Sequence, residues 1–189
     1  MTIARLKITL EGIEPLVERN LEVPSDIRLD RLHLVIQAAM GWENCHLYEF
    51  MAGETRWGVP DPDFGTDTLP VAKASLADVI DAAGKDQIRY VYDFGDDWIH
   101  LIEATIIGDP TPGNLYPRLV EIIGRCPPED VGGLPGYDHF LSAIGDPGQP
   151  EHEELTDWAG GPFDPHVPDA DELRLNVLKL AKKWKPRGI

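Results

Sequence analysis

Residues 90–103 read YVYDFGDDWIHLIE, two runs rich in aromatic and β-branched side chains on either side of Gly95 and Asp96. Such side chains suit a pleated, half-buried surface. Gly-Asp between two such runs is a two-residue hairpin signal, with glycine supplying the positive φ of a type II′ turn. That loop puts Asp93 opposite Trp98 and Val91 opposite His100. Because side chains alternate between faces, Asp93 and His100 then become diagonal neighbours beside Trp98. A carboxylate beside an imidazole can orient it and raise its basicity. It can equally be a structural pair within a sheet, and a slip of one residue would send the two groups to opposite faces.

The rest of the chain supplies partners for this hairpin. Leu6, Ile8 and Leu10 alternate with Arg5, Lys7 and Thr9, and Val17, Leu21 and Val23 alternate with Glu18, Asn20 and Glu22. Both read as strands. Ser25 offers an N-cap to a helix over 26–40, where Leu29, Leu32, Ile36 and Ala39 form an apolar stripe and Gly41 stops it. Residues 46–51 and 54–59 read as two further strands, and 60–70 as a loop of Asp, Gly and Pro. Ser75 with Asp78 resembles a capping box opening a short helix to about 83. The second hairpin strand extends to 107, and 119–123 is a strand or a short helix.

From 126 to 137 the spacing of Pro and Gly predicts a loop of fixed shape. Short helices are expected over 138–144 and 151–158, a non-helical run over 160–168, and a last helix from Asp169 carrying Leu173, Val177, Leu180 and Trp184. Strands followed by helices, without βαβ alternation, predict an α+β fold. The expected form is a single domain over 1–189, a mostly antiparallel β-sheet with helices packed on one face and a C-terminal helix. A chain of 189 residues is long enough to bury a substantial core.

Charge narrows the partners. The net charge is −16, and residues 126–173 hold no Lys or Arg while carrying twelve Asp and Glu. Binding a phosphate backbone needs clustered basic residues, so direct nucleic-acid binding is disfavoured. The same field repels anionic membranes, and no apolar run approaches the roughly 20 residues that span a bilayer. A protein partner of basic character, or a divalent metal, suits such a surface; a solvated acidic face is the simpler account. Cys45 and Cys126 lie outside any C-x-x-C unit, which points to a reduced, cytoplasmic chain.

Three kinds of site are suggested by residue type. His33, His46 and His100, with Cys45, Asp93, Asp96 or Asp97, are ligand types for a transition metal, but their spacing matches no diagnostic motif. Cys126 precedes two prolines and the acids Glu129 and Asp130, whose charge should raise its thiol pKa and dull it as a nucleophile. Gly132 and Gly133 expose backbone N–H groups able to cradle an anion, or simply pack a rigid loop against the hairpin. The candidate surface combines Asp93, Asp96, Trp98 and His100 of the hairpin with Gly132, Gly133 and Tyr137 of that loop.

Five ordered groups of residues identify a family. They are Leu32, His33, Ile36, Gln37, Ala39, Gly41 and Trp42; His46, Leu47 and Phe50; Tyr92, Asp93, Phe94, Gly95, Asp96, Trp98 and His100; Cys126 to Asp130 with Gly132, Gly133, Gly136 and Tyr137; and Trp158, Gly160, Phe163, Asp164 and Pro165. Across nearly the whole chain this pattern resembles the Ri-plasmid ORF-3-like family, also described as a TnpR-like passenger of insertion elements. A more aromatic continuation is expected where Val167 and Pro168 stand. The resemblance implies a single α+β domain associated with mobile elements, without an assigned chemistry. A literal resolvase would need a Ser nucleophile amid arginines, whereas the serines here are Ser25, Ser75 and Ser142 in an acidic chain. The expected function is a cytoplasmic binding or adaptor module. The alternatives are a metal-dependent hydrolase using His100 and Asp93, and an accessory factor in DNA transactions acting through a protein partner.

Overall fold

A computed structural model describes residues 2–60, 68–84 and 87–184. Its frame is one eight-stranded sheet in the order β5-β4-β3-β6-β7-β1-β2-β8. In chain order the strands are β1 Ile3–Leu10, β2 Glu18–Pro24, β3 Tyr48–Ala52, β4 Thr55–Gly58, β5 Leu69–Pro70, β6 Ile88–Tyr92, β7 Trp98–Gly108 and β8 Arg118–Ile123. The helices are α1 Leu29–Met40, α2 Leu76–Ala83, α3 Gly133–Gly145, α4 His152–Trp158 and α5 Ala170–Trp184. Every pairing is antiparallel except the short β4–β5 contact. This is the α+β architecture expected: the sheet is almost wholly antiparallel, and although α1 and α2 are interspersed among the strands, α3, α4 and α5 follow the last of them.

The two faces of the sheet follow from alternation. Leu6, Ile8 and Leu10 are sealed in the core while Arg5 and Lys7, which alternate with them, are exposed. The opposite face is polar: Glu22 is held by Arg5 at 2.8 Å and Arg118 at 3.3 Å, and Lys7 reaches Glu103 at 3.0 Å. On the core face α1 buries Leu29, Leu32, Val35, Ile36 and Ala39, and α5 adds Leu173 and Val177. Arg19 shares the face of Leu21 and Val23 and is fully buried. Its guanidinium donates to the carbonyls of Ala39, Glu18 and Ile123, so it joins the end of α1 to the β2–β8 pair. A buried charge is tolerated when its donors are satisfied in this way.

Local expectations fail at two helix starts. Ser25 does not cap α1, which begins at Leu29 without a side-chain cap; the Ser25 hydroxyl pairs with that of Thr2 instead. The expected loop over 126–137 is helical from Gly133 onward. Pro135 lies in the first turn, where an amide hydrogen would have no helical partner, so it does not interrupt the helix. Glycine is needed at Gly136, because a Cβ there would stand 1.9 Å from the Val131 carbonyl oxygen. By contrast α2 has the full capping box of Ser75 and Asp78, and 118–123 is a strand. The expected loop at 60–70 is described only at its ends, where Leu69–Pro70 forms β5; Lys185, at the end of the last helix, lies outside the described residues.

Candidate metal centre

The hairpin that dominates the sequence closes one residue out of the expected register. Tyr92 pairs with Trp98 and Tyr90 with His100, leaving a five-residue loop from Asp93 to Asp97. Asp93 and Asp97 both adopt left-handed backbone, φ 57° each, and the Asp97 amide donates to the Asp93 carbonyl at 2.6 Å. The Asp93 side chain accepts from the Gly95 amide at 2.9 Å, a local turn that aspartate forms readily. The physical reason for the register is burial. It gathers Tyr90, Tyr92, Trp98 and His100 on the core face, each no more than 2% exposed, whereas the Gly95-Asp96 turn would divide them between faces.

The slip dissolves the Asp93–His100 pair. His100 is fully buried, with Nδ1 on the carbonyls of Tyr90 and Trp98 and its ring edge-on to Trp42. Two carbonyl acceptors make Nδ1 the protonated nitrogen, and burial lowers the His100 pKa to about 4. Asp93 instead turns toward His46. A hydrolytic centre built on His100 and Asp93 has no geometry here. Trp98 and Tyr137 are core residues as well, and burial pushes the Tyr137 hydroxyl up to about 12. Asp96 accepts from the Gly132 amide at 3.1 Å, and Gly133 passes close to the Asp96 carbonyl. The two glycines therefore pack the loop onto the hairpin, with the Gly132 amide already engaged.

The three histidines also part. His33 stacks flat on Tyr48, with ring centroids 3.5 Å apart, and binds the Tyr90 hydroxyl through Nδ1 at 2.7 Å and the Asn44 side-chain oxygen through Nε2. Burial lowers its pKa to about 4. Gln37 donates to the Tyr90 hydroxyl at 3.0 Å and accepts from the Asn44 amide at 3.1 Å. This buried network from α1 and β6 holds residues 42–46 in place, with Asn44 itself in left-handed backbone, φ 59°.

What that loop presents is His46. Its Nε2 lies 2.9 Å from Asp130 Oδ1, 3.6 Å from Asp93 Oδ2 and 3.8 Å from Glu129 Oε1. The nitrogen is shielded from solvent, yet Asp130 sits too far off axis for an aligned hydrogen bond, leaving Nε2 without one among the described residues. Two sets of ligand atoms lie within 4.8 Å of one another, His46 with Asp93 and Asp130, and His46 with Cys45 and Glu129. Neither includes His33 or His100.

The first set is the better donor set. Glu129 is committed on both oxygens, accepting from the Tyr92 hydroxyl at 2.6 Å and the Glu43 amide at 2.9 Å. Cys45 is exposed, and partial desolvation of its thiol with the charges of Glu129 and Asp130 raises its pKa. The acids thus act on Cys45; Cys126 is raised by burial instead, and Arg19 pulls it down. Asp93 keeps Oδ2 available while Oδ1 is pinned by Gly95. Ligands about 2.1 Å from one ion stand roughly 3 to 3.5 Å from each other, close to the His46 spacings. Asp93 and Asp130 both hold left-handed backbone, φ 57° and 58°, a conformation open to Asp and Asn at modest cost.

Glu129 and Asp130, acids of the Cys126–Asp130 motif, were not among the candidate metal ligands. Their signal was the stiff Pro127-Pro128 lead, and the structure shows what it aims at: Trp42 donates to the Pro127 carbonyl at 3.0 Å while stacking on Tyr92. No helix among the described residues is long and apolar enough to cross a membrane.

Comparison with known proteins agrees with this architecture. The chain is 42% identical over 186 residues to "Uncharacterized protein y4hQ" of Sinorhizobium fredii (strain NBRC 101917 / NGR234), covering 97% of this chain and 94% of that one. Its fold is similar to the crystal structure of a protein of unknown function, MM3350 from Methanosarcina mazei Go1, with TM-score 0.78 and 29% identity over 90% of this chain and 97% of that chain. The family model described as plasmid pRiA4b ORF-3-like protein matches residues 2–172, and the chain belongs to that family.

Proposed function

We propose that this protein is a divalent-metal-binding module whose ion is held by His46 Nε2, Asp93 Oδ2 and Asp130 Oδ1. One observation carries the reading: a shielded imidazole nitrogen faces three carboxylates without an aligned hydrogen bond to any of them. An unpaired polar atom in such a place costs free energy, and a cation relieves both that cost and the mutual repulsion of the acids. One imidazole with two carboxylates suits a first-row transition ion. Glu129, tied to Tyr92 and Glu43, positions the surrounding loops. Asp130 is 66% exposed at its side chain, so an ion held there would be open to solvent on that side, where it could activate water or bind a ligand directly.

The test is titration of untagged, chelator-stripped protein with Zn2+ and Mn2+ by calorimetry. One equivalent per chain is expected, with His46→Ala and Asp130→Asn each weakening it by at least about 100-fold while the melting temperature of the apo form is retained. Equal affinity in wild type and His46→Ala would refute the site.

A further inference from the structure

We infer that the cleft between α3 and α4 is a docking site for a basic, amphipathic segment of another protein. The cleft has a volume of about 460 Å³, and Val131, Phe140, Leu155 and Trp158 give it an apolar floor, with Asp130 and Glu154 on its rim. Phe140 is sealed beneath, and Trp158 meets it edge-on at 5.9 Å while remaining 48% exposed. None of the α4 residues is fully buried. A short helix that packs on α3 yet leaves its indole half in water has an unfilled apolar face, and Trp is among the residues enriched at binding hot spots.

Charge selects the occupant. The segment 126–173 holds twelve of the chain's 33 acidic residues and no Lys or Arg. Glu151, Glu153, Glu154 and Asp157 crowd α4 and the residue before it. The local imidazoles are engaged: His139 lies 3.1 Å from Glu151, and His152 bonds the Ala143 carbonyl. An apolar side chain in the cleft with lysines or arginines toward Glu154 and Asp157 satisfies both features, and a cation over the Trp158 ring adds to the attraction. An acidic or purely apolar ligand satisfies only one or neither. Asp130 borders both this cleft and the His46 site, so variants at Trp158 and Glu154 separate the two.

The experiment uses the full chain in EDTA, titrated calorimetrically with a short lysine–leucine amphipathic peptide and with its glutamate–leucine counterpart. Binding of the lysine peptide alone is expected, weakening with added salt. Trp158→Ala, which leaves every charge in place, is expected to lower affinity about tenfold, and Glu154→Gln about threefold. Circular dichroism melts establish that both variants fold. Equal binding of the two peptides, or wild-type affinity in folded Trp158→Ala, overturns the inference. So does a wild-type dimer dispersed by Trp158→Ala with no peptide binding, since the cleft would then serve a second copy of the chain.

Discussion

The core beneath the hairpin and the loops gathered at its tip use the same residue type for opposite ends. On the core face, His33 of α1 and His100 of β7 are wrapped by Tyr48, Tyr90 and Trp42 and bonded to neutral partners. Burial lowers the pKa of both to about 4. At the rim, His46 is part-exposed and faces Asp93, Glu129 and Asp130. The first environment excludes a cation and the second invites one. A histidine's role is set by whether carboxylates or aromatic rings surround it, and those neighbours come from distant parts of the chain.

The sharpest way to separate the regions is acid. The folded-state pKa of His33 and His100 is depressed below the unfolded value near 6.5, so the unfolded chain takes up protons first as pH falls. Their contribution to stability is complete above pH 6.5, is lost between 6.5 and about 4, and is constant below that. The loss approaches roughly 3 kcal/mol for each histidine. Urea midpoints across this range are expected to fall, and a flat profile would contradict the buried, neutral assignment.

Next in size is truncation. His100→Ala is expected to cost about 3 kcal/mol of stability, measured by denaturant unfolding, because it leaves a cavity among aromatic rings. Metal affinity in the folded fraction stays unchanged. His46→Ala reverses the pattern, with metal binding lost and stability altered by less than about 1 kcal/mol. A variant of either kind that lowers both quantities would erase the distinction between interior and rim.

Glu129→Gln sharpens the comparison further. The amide retains volume but weakens the bonds to the Tyr92 hydroxyl and the Glu43 amide, so a loss of about tenfold in metal affinity is expected by calorimetry. The smallest effect belongs to the polar sheet face. Lys7→Ala removes an exposed pair with Glu103 and is expected to change stability by less than about 1 kcal/mol in thermal melts.

The contrast between legible and illegible parts has the same origin. Strands β1 and β2, the capping box of α2 and the apolar stripe of α5 are local patterns, and each was readable because its period or cap lies within a few residues. The hairpin itself was readable, but its register was not. A Gly95-Asp96 turn and the Asp93–Asp97 loop are both compatible with the local residues, and the choice is made by burying Tyr90, Tyr92, Trp98 and His100 together against α1. The start of α3 was hidden because Gly133 and Pro135 read as loop residues although the first helical turn accepts them.

The amino-acid order alone determined the α+β architecture, the family resemblance and the acidic character of 126–173, since periodicity, motif order and charge are properties of the chain as written. Tertiary structure alone decided that His46, Asp93 and Asp130 meet while Asp93 and His100 part. Those side chains come from segments dozens of residues apart, and only the packing of Tyr92, Trp42 and the Pro127-Pro128 loop brings their polar atoms within reach of one ion.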